Sequence, residues 1–200
     1  MDQINFLTLI PYVFITTFTP GPNNISCAAS SARWGLNRTW GYLLGIGLGF
    51  FVILLLSGAF SGALIGVLPW LERYMRWVGA AYILWLAYGI AKSEGQGGLK
   101  DDEPMRGFAK GFMLQFANPK AILFAVTLYT TFLGPILARL VPVVLSAALV
   151  AVIGFTSIMS WAIFGLGIHR FLQNSFHQRI VNIAFALLLV WTAANVAGIL

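Results

Sequence analysis

Six apolar blocks, each about long enough to cross a lipid bilayer as one helix, make up most of this 200-residue sequence. A transmembrane helix needs about 20 residues, and the blocks lack the alternation that marks the strands of a membrane barrel. Only 9% of the residues are charged, whereas a soluble domain carries about 25%. We therefore predict an all-α polytopic membrane protein. Its six predicted transmembrane helices are Ile4–Ala32, Gly41–Leu68, Met75–Ala91, Gly111–Leu137, Val141–Ile168 and Ile180–Ile199.

The distribution of lysine and arginine predicts the orientation of the chain. Eight of these residues lie in the first, third and fifth connections, and three lie in the second and fourth. The positive-inside rule places the more basic connections in the cytoplasm, so both termini face outward. The formal charge of +6 then reflects orientation and anionic lipid, and without a basic stripe we expect no nucleic-acid binding. Because Met1-Asp2-Gln3 is not a basic leader, we expect the first helix to be retained.

One hydrophilic stretch divides the chain into two halves. We predict a first three-helix repeat at residues 1–92, a cytoplasmic linker at 93–106 and a second three-helix repeat at 107–200, all in one membrane domain. Because three is odd, the second half must cross the membrane in the opposite sense to the first. This arrangement is a 3+3 inverted repeat, which many secondary transporters use.

Each half begins with a helix that a proline motif interrupts. The motifs occupy residues 19–24 and 115–120, and Pro20 and Pro119 are 99 residues apart. Proline removes a backbone donor and clashes with the preceding turn, so the first and fourth helices are predicted to break. At about 1.5 Å per residue, Pro20 lies roughly 24 Å from the start of its block, near the bilayer midplane. The alternative is a pair of ordinary kinks, because proline is frequent in transmembrane helices.

The half-helices that start at these breaks are predicted to present positive ends to a shared centre. Asn118-Pro119 has the pattern of an N-cap followed by proline at the first helical position, and Gly21-Pro22 allows the same interpretation. Free amide groups and the helix dipole at such ends favour a negatively charged ligand. The pattern therefore predicts a carboxylate site.

Lys120 is the strongest single-residue signal in the sequence. A lysine near the bilayer centre costs about 2.5–3.5 kcal/mol on insertion scales. One alternative is that its side chain snorkels towards the cytoplasmic interface. The other is that Lys120 contacts a substrate carboxylate or carries a transported proton. No Asp or Glu occurs within any predicted span, which favours a neutral zwitterion whose ammonium is held by Asn23, Asn24, Gln115 or unwound carbonyls.

The predicted substrate site combines both interrupted segments. It comprises Pro20, Gly21, Pro22, Asn23, Asn24, Gln115, Asn118, Pro119 and Lys120, with Lys120 as the proton-coupling candidate.

Other residues give weaker indications. Cys27 is expected to be a small buried apolar residue. Glycines at spacing four in the second block allow close helix packing, either within the chain or in a homodimer. Ser157 and its neighbours Thr156 and Ser160 line a polar path or bond to their own helix. We expect no metal site and no cofactor, and an enzyme is disfavoured because no ionisable cluster lies in the membrane. A channel or an accessory subunit remains an alternative, since both also use broken helices.

Three motifs taken together resemble one transporter family. They are residues 20–23 (Pro-Gly-Pro-Asn), residues 77–86 (Trp-Val-Gly-Ala-Ala-Tyr-Ile-Leu-Trp-Leu) and residues 118–121 (Asn-Pro-Lys-Ala). The chain resembles the lysine exporter superfamily over essentially its whole length, and within it the homoserine/threonine branch that includes the cysteine/O-acetylserine exporters. The resemblance implies export of small amino acids or their derivatives across the bacterial inner membrane, by proton antiport in most members. Another small zwitterionic or anionic metabolite is the alternative cargo.

Overall fold

The computed structural model describes residues 4–92, 107–169 and 175–199, and within these ranges the chain is helical and contains no strand. The predicted linker at 93–106 lies outside the described residues, so the division into two halves stays a prediction. The described helices are α1 (Phe6–Phe18), α2 (Pro22–Trp34), α3 (Leu36–Ala59), α4 (Ser61–Lys92), α5 (Phe108–Ala117), α6 (Pro119–Thr127), α7 (Leu140–His169) and α8 (Ser175–Ala197). Between α6 and α7 the chain forms a π-helical turn, Leu128–Phe132, and a 3-10 turn, Gly134–Ile136.

The first predicted helix is two helices, α1 and α2. α1 ends at Phe18, and Thr19 is extended with φ −62° and ψ 141°. A residue that precedes proline avoids the helical region, so Pro20 forces this conformation on Thr19. Pro22 then occupies the first turn of α2, where a missing N–H costs nothing. The interruption predicted in the first segment is present.

The fourth predicted helix is interrupted in the same way. Asn118 is extended, with φ −91° and ψ 102°, and it precedes Pro119 at the start of α6. The axes of Phe108–Ala117 and Pro119–Phe132 differ by 63°. Taken as one bent span, this pair is long and apolar enough to cross a membrane, as are Leu36–Ala59 and Leu140–Ile168.

The boundary predicted between the second and third helices is wrong. The second block was expected to reach Leu68, but α3 ends at Ala59 and α4 runs unbroken from Ser61 to Lys92. Phe60 leaves the helical region, with φ −110° and ψ 14°. Hydropathy gives no sign of this turn, because the residues on both sides of it are apolar or small.

The helices pack around α3 and α7, which lie against each other. α3 also packs against α5, α7 packs against α2, and α4 pairs with α8. Glycines permit the closest approaches: a Cβ on Gly45 or Gly111 would overlap a backbone oxygen of the facing helix in the α3–α5 pair, and one on Gly165 would overlap the Ala28 oxygen in the α2–α7 pair. Gly45 and Gly49 therefore serve packing within the chain, while Gly62 lies among the positions whose surroundings are not described.

Candidate functional site

The two breaks border one cavity. It has about 510 Å³ of empty volume, including space open to the exterior. Five helices contribute to its wall: α1, α2, α3, α6 and α7. The lining residues are Thr16, Thr17, Gly21, Pro22, Asn23, Asn24, Ile46, Gly47, Phe50, Asn118, Lys120, Ala121, Phe124, Gly154, Phe155 and Ile158.

The Lys120 side chain bends towards the break between α1 and α2. Its Nζ donates a hydrogen bond of 2.9 Å to the carbonyl oxygen of Thr19. A Cβ built on Gly21 would lie 3.0 Å from Lys120 Cδ and 3.1 Å from Nζ, so the side chain passes directly over the backbone at the start of α2. The absence of a side chain at Gly21 makes this approach possible. The contact favours a role in the cavity over snorkelling.

The first turns of α2 and α6 differ in how their amides are satisfied. The Asn118 side chain accepts from the Lys120 and Ala121 amides, at 3.1 and 3.4 Å, which confirms the predicted N-cap of α6. The expectation of free amides is therefore wrong for α6. At α2 the cap residue is Gly21, and the described part of the chain supplies no side-chain cap there. The N-terminus of α2 is thus the end that remains available for a negatively charged group.

Three amide side chains connect the two breaks. Asn23 and Gln115 form a reciprocal pair, in which Asn23 Nδ2 donates to Gln115 Oε1 at 2.9 Å and Gln115 Nε2 donates to Asn23 Oδ1 at 3.2 Å. Asn118 Nδ2 also donates to Asn23 Oδ1, at 2.8 Å. Gln115 is fully buried and does not line the cavity. Its hydrogen bonds therefore hold the Asn23 amide, which does line the cavity, in position.

The carbonyl groups at the end of α1 accept from side chains, because the helix stops at Phe18 and no following turn supplies amide donors to them. Asn24 Nδ2 donates to the oxygens of Thr17 and Thr19, both at 2.9 Å. From α7, Ser157 Oγ donates to the Thr17 oxygen at 2.8 Å and Trp161 Nε1 donates to the Phe18 oxygen at 3.2 Å. Hydrogen bonds from α2 and α7 therefore stabilise the end of α1 by satisfying its last carbonyl oxygens.

Of the three hydroxyl residues noted on α7, only Ser157 reaches the break. Thr156 and Ser160 each donate to a carbonyl four residues earlier in their own helix, at 2.8 Å. Cys27 is fully buried, as expected of a small apolar residue.

Six of the other lining residues have apolar side chains. They are Ile46, Phe50, Ala121, Phe124, Phe155 and Ile158. Among the described lining residues, Lys120 alone is charged. We call the part of the lining formed at the breaks the polar end, and the part formed by these apolar and aromatic side chains the aromatic end. Sequence reasoning missed the aromatic end and Trp161, because a phenylalanine that faces a cavity has the same pattern as one that faces lipid.

Most of the predicted site residues gather at the polar end. Gly21, Pro22, Asn23, Asn24, Asn118 and Lys120 line the cavity. Pro20, Pro119 and Gln115 are not among the lining residues: the two prolines form the breaks, and Gln115 supports Asn23 from behind. The polar end is suited to a small zwitterion, because it offers a helix N-terminus, amide groups and backbone carbonyls side by side.

The chain is similar in sequence to a known family of transporters. The LysE type translocator family matches residues 14–198. The cysteine/O-acetylserine efflux protein of Escherichia coli strain K12 is 39% identical over 187 residues, which cover 92% of this chain and 93% of the relative. Its counterpart in Klebsiella pneumoniae is 38% identical over 193 residues, which cover 96% of this chain and 94% of the relative. No solved structure matches the chain significantly.

The predicted resemblance is confirmed by these matches, which cover nearly the whole chain. Together with the long apolar helices they identify a multi-pass membrane protein that is a transporter and not an enzyme. The chain belongs to the LysE type translocator family.

Proposed function

We propose that this protein exports small neutral amino acids or their derivatives, of the cysteine/O-acetylserine type, across the bacterial inner membrane in exchange for protons. In this proposal the chain forms six spans in a 3+3 inverted repeat with both termini outside the cytoplasm. The names of the relatives support the cargo, and the basic odd-numbered connections support the orientation.

The observation that carries the proposal is the position of the Lys120 ammonium. It donates to the Thr19 oxygen immediately beside the uncapped N-terminus of α2. An α-amino acid carries an ammonium and a carboxylate on neighbouring atoms. The carboxylate suits the positive end of α2, which leaves the substrate ammonium next to the Thr19 oxygen, the group that the Lys120 ammonium contacts.

Proton exchange follows from this overlap. The protonated lysine and the substrate ammonium compete for one carbonyl oxygen, and two positive charges in one small cavity repel each other. A carrier loaded with substrate therefore holds a neutral Lys120, and a carrier without substrate holds a protonated one. Competition of this kind makes protons and substrate move in opposite directions, as antiport requires.

Purified protein in proteoliposomes tests the proposal. We expect counterflow of radiolabelled L-cysteine, kept reduced, and acceleration of its net movement by an opposed proton gradient. Dissipation of a substrate gradient without counterflow would indicate a channel instead. Counterflow that ignores the proton gradient would refute antiport while leaving a carrier.

A further inference from the structure

The aromatic end of the cavity is built from two phenylalanine–glycine pairs between α3 and α7. Phe50 of α3 lies over Gly154 of α7, where a Cβ would be 2.7 Å from the Phe50 ring. Phe155 of α7 lies over Gly47 of α3, where a Cβ would be 2.8 Å from the Phe155 ring. Each helix therefore supplies one ring and receives the other.

These four residues all line the cavity, so the two pairs form part of its boundary. Phe50 is 8% exposed, and its ring also contacts that of Phe124, with 5.7 Å between centroids. Phe155 meets Trp40 edge-on, with 6.2 Å between centroids. Each of the two rings therefore packs against a second aromatic ring as well as a glycine.

We propose that Phe50, packed against Gly154, and Phe155, packed against Gly47, determine substrate specificity. They would do so by limiting the length of the substrate side chain that the transporter accepts. The proposal rests on the proposed function, because it takes the polar end as the position of the amino-acid backbone. The substrate side chain then points at the two rings. Short, uncharged side chains fit, and longer ones meet an aromatic wall.

The chemistry of the wall also excludes charge. Ile46, Phe124 and Ile158 complete it, and no described lining residue is acidic. A second ammonium at the far end of a basic amino acid would be desolvated there without a partner, which is costly. The same wall accepts a thiol or a methyl group without loss.

Two opposite kinds of variant test the proposal by counterflow with a series of unlabelled competitors: L-alanine, L-serine, L-cysteine, L-threonine and L-leucine. Phe50→Ala removes one ring. We expect the affinity for leucine, relative to that for cysteine, to rise by at least about tenfold over wild type, which is the lower value for one methylene in an apolar pocket. Gly154→Ala pushes the same ring into the cavity, and we expect the longest accepted competitor to become shorter. Phe60→Ala is the control, since Phe60 is the C-cap residue of α3 and is 59% exposed.

The outcomes separate this inference from the proposed function. If the wild-type protein exchanges no amino acid, the proposed function fails and the inference falls with it. If the wild-type protein exchanges cysteine but Phe50→Ala and Gly154→Ala leave the competitor series unchanged, only the inference is refuted. Should Phe50→Ala fail to insert, Phe50→Leu and Gly47→Ala supply the same comparison with smaller changes.

Discussion

Replacing Lys120 with methionine separates the two roles that a lysine in this cavity could take. If the ammonium competes with the substrate, Lys120→Met removes the group that carries the exchanged proton but leaves the carboxylate site at the N-terminus of α2 intact. If the ammonium instead binds the substrate carboxylate, the same change removes a ligand. Methionine matches the lysine side chain as far as Cε, so most of the packing over Gly21 is kept.

The two roles predict opposite changes in the affinity for substrate. A hydrogen bond to a charged group contributes about 1.5–3 kcal/mol, so loss of a carboxylate ligand would weaken substrate binding by about 10- to 150-fold. Competition predicts the opposite: without the lysine ammonium at the Thr19 oxygen, binding at neutral pH becomes equal or tighter. Counterflow persists in the variant, and only the response to a proton gradient is lost.

Counterflow and gradient-driven transport, measured on the same proteoliposomes, give both quantities. Lys110→Met is the control, because Lys110 is an exposed lysine on α5 and its loss removes the same charge. Equal amounts of inserted protein are verified by immunoblot. The competition mechanism is refuted if Lys120→Met abolishes counterflow as well, and Lys120 leaves the mechanism altogether if the variant keeps normal gradient-driven export.

Four further changes test separate parts of the structure. Gly21→Ala displaces the lysine ammonium without straining an extended backbone of φ −165°, and we expect it to shift the pH dependence of transport; an unchanged pH profile would argue against the contact. Asn118→Ala removes the cap of α6, worth about 0.5–2 kcal/mol, so the melting temperature in detergent falls by several degrees while Asn118→Ser largely restores it. Gly165→Ala places a methyl group against a backbone oxygen of α2 and prevents stable insertion, whereas Gly167→Ala, with no described atom within 4 Å, is tolerated. A reporter fused after Leu200 is active only outside the cytoplasm, and cytoplasmic activity would reverse the proposed topology.

The breaks could be predicted from the sequence because their cause is local. Proline disfavours a helical conformation at the preceding residue and removes a donor. A proline alone does not suffice, because Pro11 lies inside α1; at the two breaks a second proline, Pro22, or a capping residue, Asn118, adds to the effect. Asn118 has the right atoms for an N-cap at the right spacing, and the structure confirms that role. The pairing of the two breaks through Asn23 was not predictable, because it depends on how α2 and α5 are oriented in space.

The aromatic wall and the turn at Phe60 could not be predicted for a related reason. In a membrane protein, hydrophobicity is required of residues that face lipid and of residues that face each other, so the pattern does not separate them. Phe50 and Phe60 belong to the same apolar block, yet one is 8% exposed and the other 59%. A glycine opposite a ring is the physical signal that distinguishes them, but the partner of a glycine is visible only once the helices are packed.

The two halves are matched in pattern but not in packing, and the difference has a cause in the sequence. Eight residues before Pro119 stands Gly111, which lets α5 approach α3 until backbones touch; eight residues before Pro20 stands Tyr12. Tyr12 stacks on Phe124 and Phe132, with centroids 5.2 and 4.7 Å away, so at the matching position α1 packs through an aromatic ring and α5 through a backbone contact. In the proposed inverted repeat these two half-helices would occupy equivalent places on opposite sides of one cavity, and the two sides would therefore be packed differently.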